Sequence, residues 1–102
     1  MNLDDAKRQT VDAFDALRKT IQPWRDMNPS CSVAMGGDSD CGQWSVVFEN
    51  NAWLVFVGER GERIGLSTFS NPWDAVSYAG YRATSGLKPH IPFPVIYPKI
   101  LL

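Results

Sequence analysis

Few side chains in this 102-residue sequence could serve as acids, bases or nucleophiles at neutral pH. Histidine is the side chain best suited to general base catalysis in this range, and the one histidine, His90, directly follows a proline in the C-terminal region. Neither Cys31 nor Cys41 has a recognisable catalytic partner, and no serine lies in a G-x-S-x-G motif. The sequence therefore predicts no catalytic residue and a protein that is not an enzyme.

An acidic run, Asp38-Ser39-Asp40, has the spacing of the first ligands in a calcium-binding loop. Such a loop requires glycine at its sixth position, where this sequence has Gln43. A structural zinc site normally takes four ligands, and two cysteines without C-x-x-C spacing plus one histidine do not supply them. The glycine-containing turns also lack the Lys-Ser or Lys-Thr of a phosphate-binding loop. We therefore predict neither a metal ion nor a cofactor.

The N-terminal residues lack the basic and apolar regions of a secretory signal. No apolar run approaches the ~20 residues that a membrane-spanning helix needs. These features predict a cytoplasmic protein that does not contact a membrane. In a reducing compartment Cys31 and Cys41 are expected to stay reduced, although a disulfide between them would close only a short loop.

The charges are nearly balanced overall but unevenly distributed along the chain. A net charge of −1 argues against a nucleic-acid partner, because such proteins normally carry a basic surplus. Residues 27–58 contain acids but no lysine or arginine, and residues 75–102 contain bases but no acid. The two segments could form surfaces of opposite sign, or they could pair with each other in the fold.

Two amphipathic helices are predicted, one near each end of the chain. Apolar residues recur at three- and four-residue steps over Leu3–Gln22, and Pro23 is expected to end this helix. Asn71, Pro72 and Asp74 are typical of an N-cap, a first helical residue and an acidic first turn. The second helix is expected to run to about residue 84.

Between the helices, the sequence predicts a three- to four-stranded antiparallel meander. A short strand is expected over Ser32–Met35, and longer strands over Trp44–Glu49, Trp53–Val57 and Arg63–Phe69. The nearly continuous apolar run in the third of these segments is typical of a central strand covered on both faces. Trp44 and Trp53 flank the first turn and are expected to face each other. The order of elements predicts one α+β domain.

The last fifteen residues contain four prolines, with apolar side chains between them. Proline at this density favours extended backbone. Because disordered tails are normally polar, we expect this segment to pack on the domain, with an edge strand near Val95–Tyr97 as one arrangement. The alternative is that it docks on another molecule.

A family resemblance begins at the apolar strand. The run Trp53–Gly61 ends in Glu-Arg-Gly and is followed by a returning strand that ends in Phe69. The helix from Pro72 then begins with an acidic, alanine-containing turn and continues through Tyr81. This segment resembles small immunity proteins of bacterial polymorphic-toxin and contact-dependent growth inhibition systems. The resemblance implies a cytoplasmic, non-enzymatic protein that binds one cognate toxin domain and covers its active site or an essential surface.

Two charged regions are the expected contacts with such a partner. The acidic middle segment would complement the basic cleft of a nuclease-like toxin, and the charged second turn would form a projecting surface. The predicted partner-binding residues are Asp38, Asp40, Glu49, Glu59, Arg60, Glu62 and Arg63. The alternative interpretation of both regions is a solvated loop and a hairpin tip. The alternative function is a small non-catalytic interaction or adaptor protein, phage-encoded or secretion-associated, with dimerisation through the apolar tail as one arrangement; the oligomeric state stays open.

Overall fold

The chain forms two helices and four strands in the order predicted for an α+β fold. The structure, a computed structural model, describes residues 2–36 and 41–98, and only the backbone of residue 41. The elements are α1 (Leu3–Met27), β1 (Val33–Met35), β2 (Cys41–Glu49), β3 (Ala52–Glu59), β4 (Glu62–Phe69) and α2 (Pro72–Thr84).

Helix α1 is longer than the sequence predicts. Its first turn is capped by the Asn2 side chain, which accepts a hydrogen bond of 2.8 Å from the Asp5 backbone N–H. The prediction that Pro23 ends the helix is wrong, since the helix continues to Met27. Pro23 lies on the exposed side, whereas Trp24 is only 2% exposed and contacts the Phe93 ring. Burial of this indole offsets the hydrogen bond that proline removes.

Helix α2 begins and ends as the sequence predicts. Asn71 is the N-cap, and its Oδ1 accepts a hydrogen bond of 2.8 Å from the Asp74 N–H. Pro72 occupies the first turn, where a missing N–H costs nothing. Thr84 is the last helical residue, and Gly86 follows with a φ of +80°.

The four strands form one sheet in the order β1-β2-β3-β4. Strands β2, β3 and β4 form the predicted antiparallel meander, and β4 lies at the sheet edge as expected. Strand β1 instead pairs parallel to β2, with Val33 beside Trp44, so the sheet is mixed rather than purely antiparallel. Strand direction depends on the path of the connection, which a local apolar pattern does not encode.

Two-residue turns fix the register of both hairpins. Asn50 and Asn51 have φ values of +50° and +62°, the left-handed conformation that such turns require. The resulting register places Trp53 opposite Phe48, and Trp44 opposite Val57 instead. The prediction that Trp44 and Trp53 face each other is therefore wrong, because the turn sets their partners.

Both helices pack on the same face of the sheet, called here the inner face. The Trp53 Nε1–H of β3 donates to Thr10 Oγ1 of α1 at 2.9 Å. The rings of Trp44 and Phe69 both contact Tyr78 of α2, with centroid distances of 6.3 and 5.4 Å. The core between the layers includes Val46, Trp53, Val55, Phe14, Leu17, Ala75, Val76 and Ala79.

Residues 88–98 of the proline-rich tail pack on the helices, as predicted. Phe93 lies against Gly80 of α2, and the Ile96 N–H donates to Ser77 Oγ at 2.7 Å. Residues 87–98 form no strand, so the expected edge strand at Val95–Tyr97 is wrong. The Ser77 hydroxyl forms hydrogen bonds with both the N–H and the C=O of Ile96, so these groups are not available to pair with a neighbouring strand. Neither described helix is long and apolar enough to cross a membrane.

Candidate protein-binding surface

The face of the sheet opposite the helices, called here the outer face, contains a buried ring under a charged side chain. Side chains alternate along β3, so Phe56 points to the outer face while Val55 points to the helices. Phe56 is nevertheless 0% exposed. The guanidinium carbon of Arg63 lies 4.7 Å from the centroid of its ring. An arginine thus helps cover one side of the central strand.

Arg63 is held in this position by Glu49. Its Nη1 and Nη2 donate to the two carboxylate oxygens of Glu49 at 2.8 and 2.7 Å. The ion pair spans from β4 to β2 across the intervening strand. Hydrogen bonds from Arg63 lower the pKa of the Glu49 carboxyl, so it remains ionised at neutral pH. This bidentate geometry fixes both side chains on the outer face.

The turn between β3 and β4 projects charged residues into solvent. Glu59, Arg60, Gly61 and Glu62 are all exposed. Arg60 and Gly61 have φ values of +52° and +78°, so the turn is a tight two-residue connection. Glu59 and Glu62 are direct cross-strand partners. Like charges in this arrangement repel each other, which is locally unfavourable for folding.

The predicted partner-binding residues divide into two groups in the structure. Glu49 and Arg63 are joined by the ion pair, and Arg63 directly follows the exposed turn. The five residues Glu49, Glu59, Arg60, Glu62 and Arg63 flank the hairpin of β3 and β4, with Glu59 and Glu62 on the side opposite to Arg63, and are called here the hairpin surface. Asp38 and Asp40 lie outside the described residues, so their expected contact with a partner stays a prediction.

Two apolar side chains beside the hairpin surface were missed by sequence reasoning. Ile64 and Leu66 of β4 are 46% and 52% exposed. A bulge in β4 at Gly65, which has a φ of +68°, interrupts the alternation between them. An apolar residue on each side of a glycine in an edge strand is the sequence signal that could have identified them.

A cavity of about 500 Å³ lies between the start of β2 and the end of α2. The described part of its lining includes Cys31, Ser32, Gln43 and Trp44, and no histidine or carboxylate is among the described lining residues. The Gln43 amide donates to the Ser32 hydroxyl. Burial raises the pKa of the Cys31 thiol, so it is protonated at neutral pH and is a poor nucleophile. The described lining therefore contains no activated nucleophile with a general base.

Cys31 is a free thiol and is buried against the Ala83 carbonyl, whereas the side chain of Cys41 lies outside the described part of the structure. Within residues 2–36 and 41–98, no three histidine, cysteine or acidic residues lie close enough together to hold a metal ion. His90 is exposed on the tail, far in sequence from the charged turn.

Comparisons with models of protein families, with curated proteins and with solved structures find no significant match to this chain.

Proposed function

We propose that this protein binds a cognate bacterial toxin domain through the hairpin surface and blocks the toxin's active site or an essential surface. The observation that carries the proposal is the cross-strand pair of Glu59 and Glu62 at an exposed, tightly turned hairpin tip. Residues that repel each other in the free protein are favourable in a complex when a cationic surface separates and neutralises them.

The sign of these charges defines the partner. Two adjacent carboxylates would attract a basic surface, such as the substrate cleft of a nuclease, and would accelerate association at low salt. Arg60, between the two glutamates in the chain, would favour a partner that also presents an acidic group. This mixed pattern supports selection of one toxin over others with a similar net charge.

The hairpin surface is also organised before binding. Arg63 is fixed by Glu49 and by the Phe56 ring, and the two-residue turn restricts the backbone of Arg60. Ordering a flexible side chain at an interface costs about 0.5–1.5 kcal/mol. Residues that are already ordered avoid part of that cost and so favour tight binding.

The proposal is tested by titrating the purified protein with the toxin domain encoded by the adjacent reading frame. The variant combines Glu59→Lys with Glu62→Lys, and the control combines Asp12→Lys with Asp26→Lys, two exposed positions on α1. Both proteins carry the same change in net charge. We expect the hairpin variant to bind about tenfold or more weakly, with an unchanged melting temperature, and the control to bind normally.

Survival of cells that co-express the toxin provides the functional readout, and the hairpin variant should fail to protect them. Equal binding by the wild type and the hairpin variant would exclude this surface as the interface. Absence of any complex, together with absence of protection, would overturn the proposed function.

One observation favours a second function, an adaptor that dimerises through its tail. Ile91, Val95 and Tyr97 are 53%, 58% and 66% exposed, although the neighbouring Phe93 and Ile96 pack inward. Exposed apolar side chains on one ordered segment are typical of an interaction site. Sedimentation equilibrium distinguishes the two functions, since this adaptor would be a dimer without any toxin.

A further inference from the structure

Strand β2 extends beyond the neighbour that pairs with it at the β1 edge. The register between them ends with Met35 beside Val46, and the Gly36 N–H donates to the Val46 carbonyl at 2.9 Å. Strand β2 continues for three more residues, to Glu49. Among the described residues, no strand pairs with Val47–Glu49 on that side.

The backbone of Phe48 is directed toward this open position. In an antiparallel hairpin closed by a two-residue turn, the residues next to the turn exchange hydrogen bonds, and alternate residues point away from the partner strand. Glu49 and Ala52 are the closing pair, so the N–H and C=O of Phe48 point away from β3. The Val46 carbonyl, two residues earlier, points the same way, as its bond from Gly36 shows.

An apolar groove of about 310 Å³ lies beside this open edge. Helix α1 forms one wall and the ends of β1 and β2 form the other. Val11 and Met35 line the groove and are 49% and 46% exposed, so the groove presents contiguous apolar surface to solvent. The lining consists of Lys7, Thr10, Val11, Met35, Gly36, Val46, Val47 and Phe48.

We propose that this groove binds an extended segment of another protein, which adds to the sheet beyond Met35 and pairs with the backbone of Phe48. The occupant is an extended strand rather than a helix, because the groove combines an open sheet edge with apolar walls. Its alternate side chains are apolar and contact Val11, Met35 and the ring of Phe48. The proposal concerns a site separate from the hairpin surface and does not depend on the proposed function.

Lys7 of α1 determines which charge is favourable at one end of the bound segment. Thr10 of α1 accepts a hydrogen bond from Trp53, the cross-strand partner of Phe48, so this part of the helix lies near the end of β2. Further along α1, Phe14 and Leu17 line a groove with Val33 and Met35 of β1, which pair with earlier residues of β2. Helix α1 therefore runs opposite to β2, and Lys7 lies at the end of the groove farther from Met35. An acidic residue at this end of the segment would face the ammonium group.

The test uses the full-length protein and a six-residue peptide of alternating valine and threonine that ends in glutamate. A segment that prolongs β1 in its own direction would place this glutamate near Lys7. Binding is measured by calorimetry and by the chemical shift and hydrogen exchange of the Phe48 amide. We expect saturable binding and slower exchange of this amide, because it becomes a hydrogen-bond donor to the peptide.

Matched variants separate the contributions of the groove. Val11→Asp should weaken binding by about tenfold or more, because it places a charge against apolar peptide side chains. Val95→Asp, at an exposed position on the tail, is the control and should bind normally. Lys7→Glu should weaken binding by about threefold, and a peptide that ends in lysine should restore it. A peptide with proline at its two central positions should not bind, because proline cannot complete the backbone pairing.

Absence of binding at millimolar peptide, equal binding by Val11→Asp, or equal binding of the proline peptide would overturn the proposal. Self-association of the protein that Val11→Asp abolishes would overturn it as well, in favour of a second copy of this chain as the occupant. None of these outcomes affects the proposal for the hairpin surface, because that proposal is tested with the toxin domain.

Discussion

The two faces of the sheet bury aromatic rings to the same degree by different means. On the inner face, Trp53 is 2% exposed beneath two helices and donates a hydrogen bond to Thr10. On the outer face, Phe56 is 0% exposed, and the guanidinium group of Arg63 lies over its ring. A whole helical layer covers the inner face, whereas the cover of the outer face includes a single ion-paired side chain. We therefore expect the inner face to contribute more to stability than the outer face.

The inner face should show the largest effect of a substitution. Trp53→Ala removes a buried indole and leaves a cavity between β3 and α1, so we expect a loss of about 3–5 kcal/mol in the free energy of unfolding. Leu66→Ala, at an exposed position of β4, is the control and should cost about 0.5 kcal/mol or less. Urea denaturation followed by circular dichroism measures both. Equal losses for the two variants would contradict the assignment of stability to the inner face.

The helical layer itself should tolerate little added volume where the tail crosses it. A Cβ atom at Gly80 would lie 2.6 Å from Phe93 Cε1 and 2.9 Å from Leu17 Cδ1, closer than normal contacts. Gly80→Ala should therefore destabilise the protein by about 1–3 kcal/mol, despite the better helix propensity of alanine.

A second variant shows whether this loss comes from the tail. In a Phe93→Ala background, Gly80→Ala should cost clearly less than it does in the wild type, which a double-mutant cycle measures as coupling. An unchanged cost would show that the tail does not confine Gly80.

The outer face should show the smallest effect, and it should depend on pH. The pKa of Glu49 is lowered in the folded protein, so its contribution is present above the unfolded pKa and is lost as the pH falls through the folded pKa. Wild-type stability should therefore decrease more than that of Glu49→Gln when the pH is lowered from about 5 to about 3. Parallel stability curves for the two proteins would contradict a contribution from the ion pair.

Local chemistry was sufficient to predict elements whose ends are set by nearby residues. Asn71, Pro72 and Asp74 predicted the start of α2, because a cap needs only side chains within one turn of the helix. Asn50 and Asn51 predicted the first turn, because both adopt the left-handed conformation more readily than most residues. The packing of the tail was expected from its apolar composition, although only Phe93 and Ile96 turn inward while Ile91, Val95 and Tyr97 stay exposed.

Local chemistry failed where distant parts of the chain decide the outcome. Pro23 was expected to end α1, but a favourable contact between Trp24 and Phe93, far apart in sequence, extends the helix past it. For the charged residues of the outer face, the sequence predicted part of what the structure shows. The sequence indicated Glu49 and Arg63 as binding residues, but not that they would pair with each other over Phe56.

Residue type and short spacing are enough to specify the two helices, the antiparallel meander and its tight turns, and they also show that the chain has no recognisable catalytic motif. The parallel pairing of β1, the ion pair on the outer face and the open groove beside Phe48 arise from the packing of the folded chain. Each of these depends on which segments meet in space. Many arrangements share the same local preferences, and the packing of the whole core selects one of them.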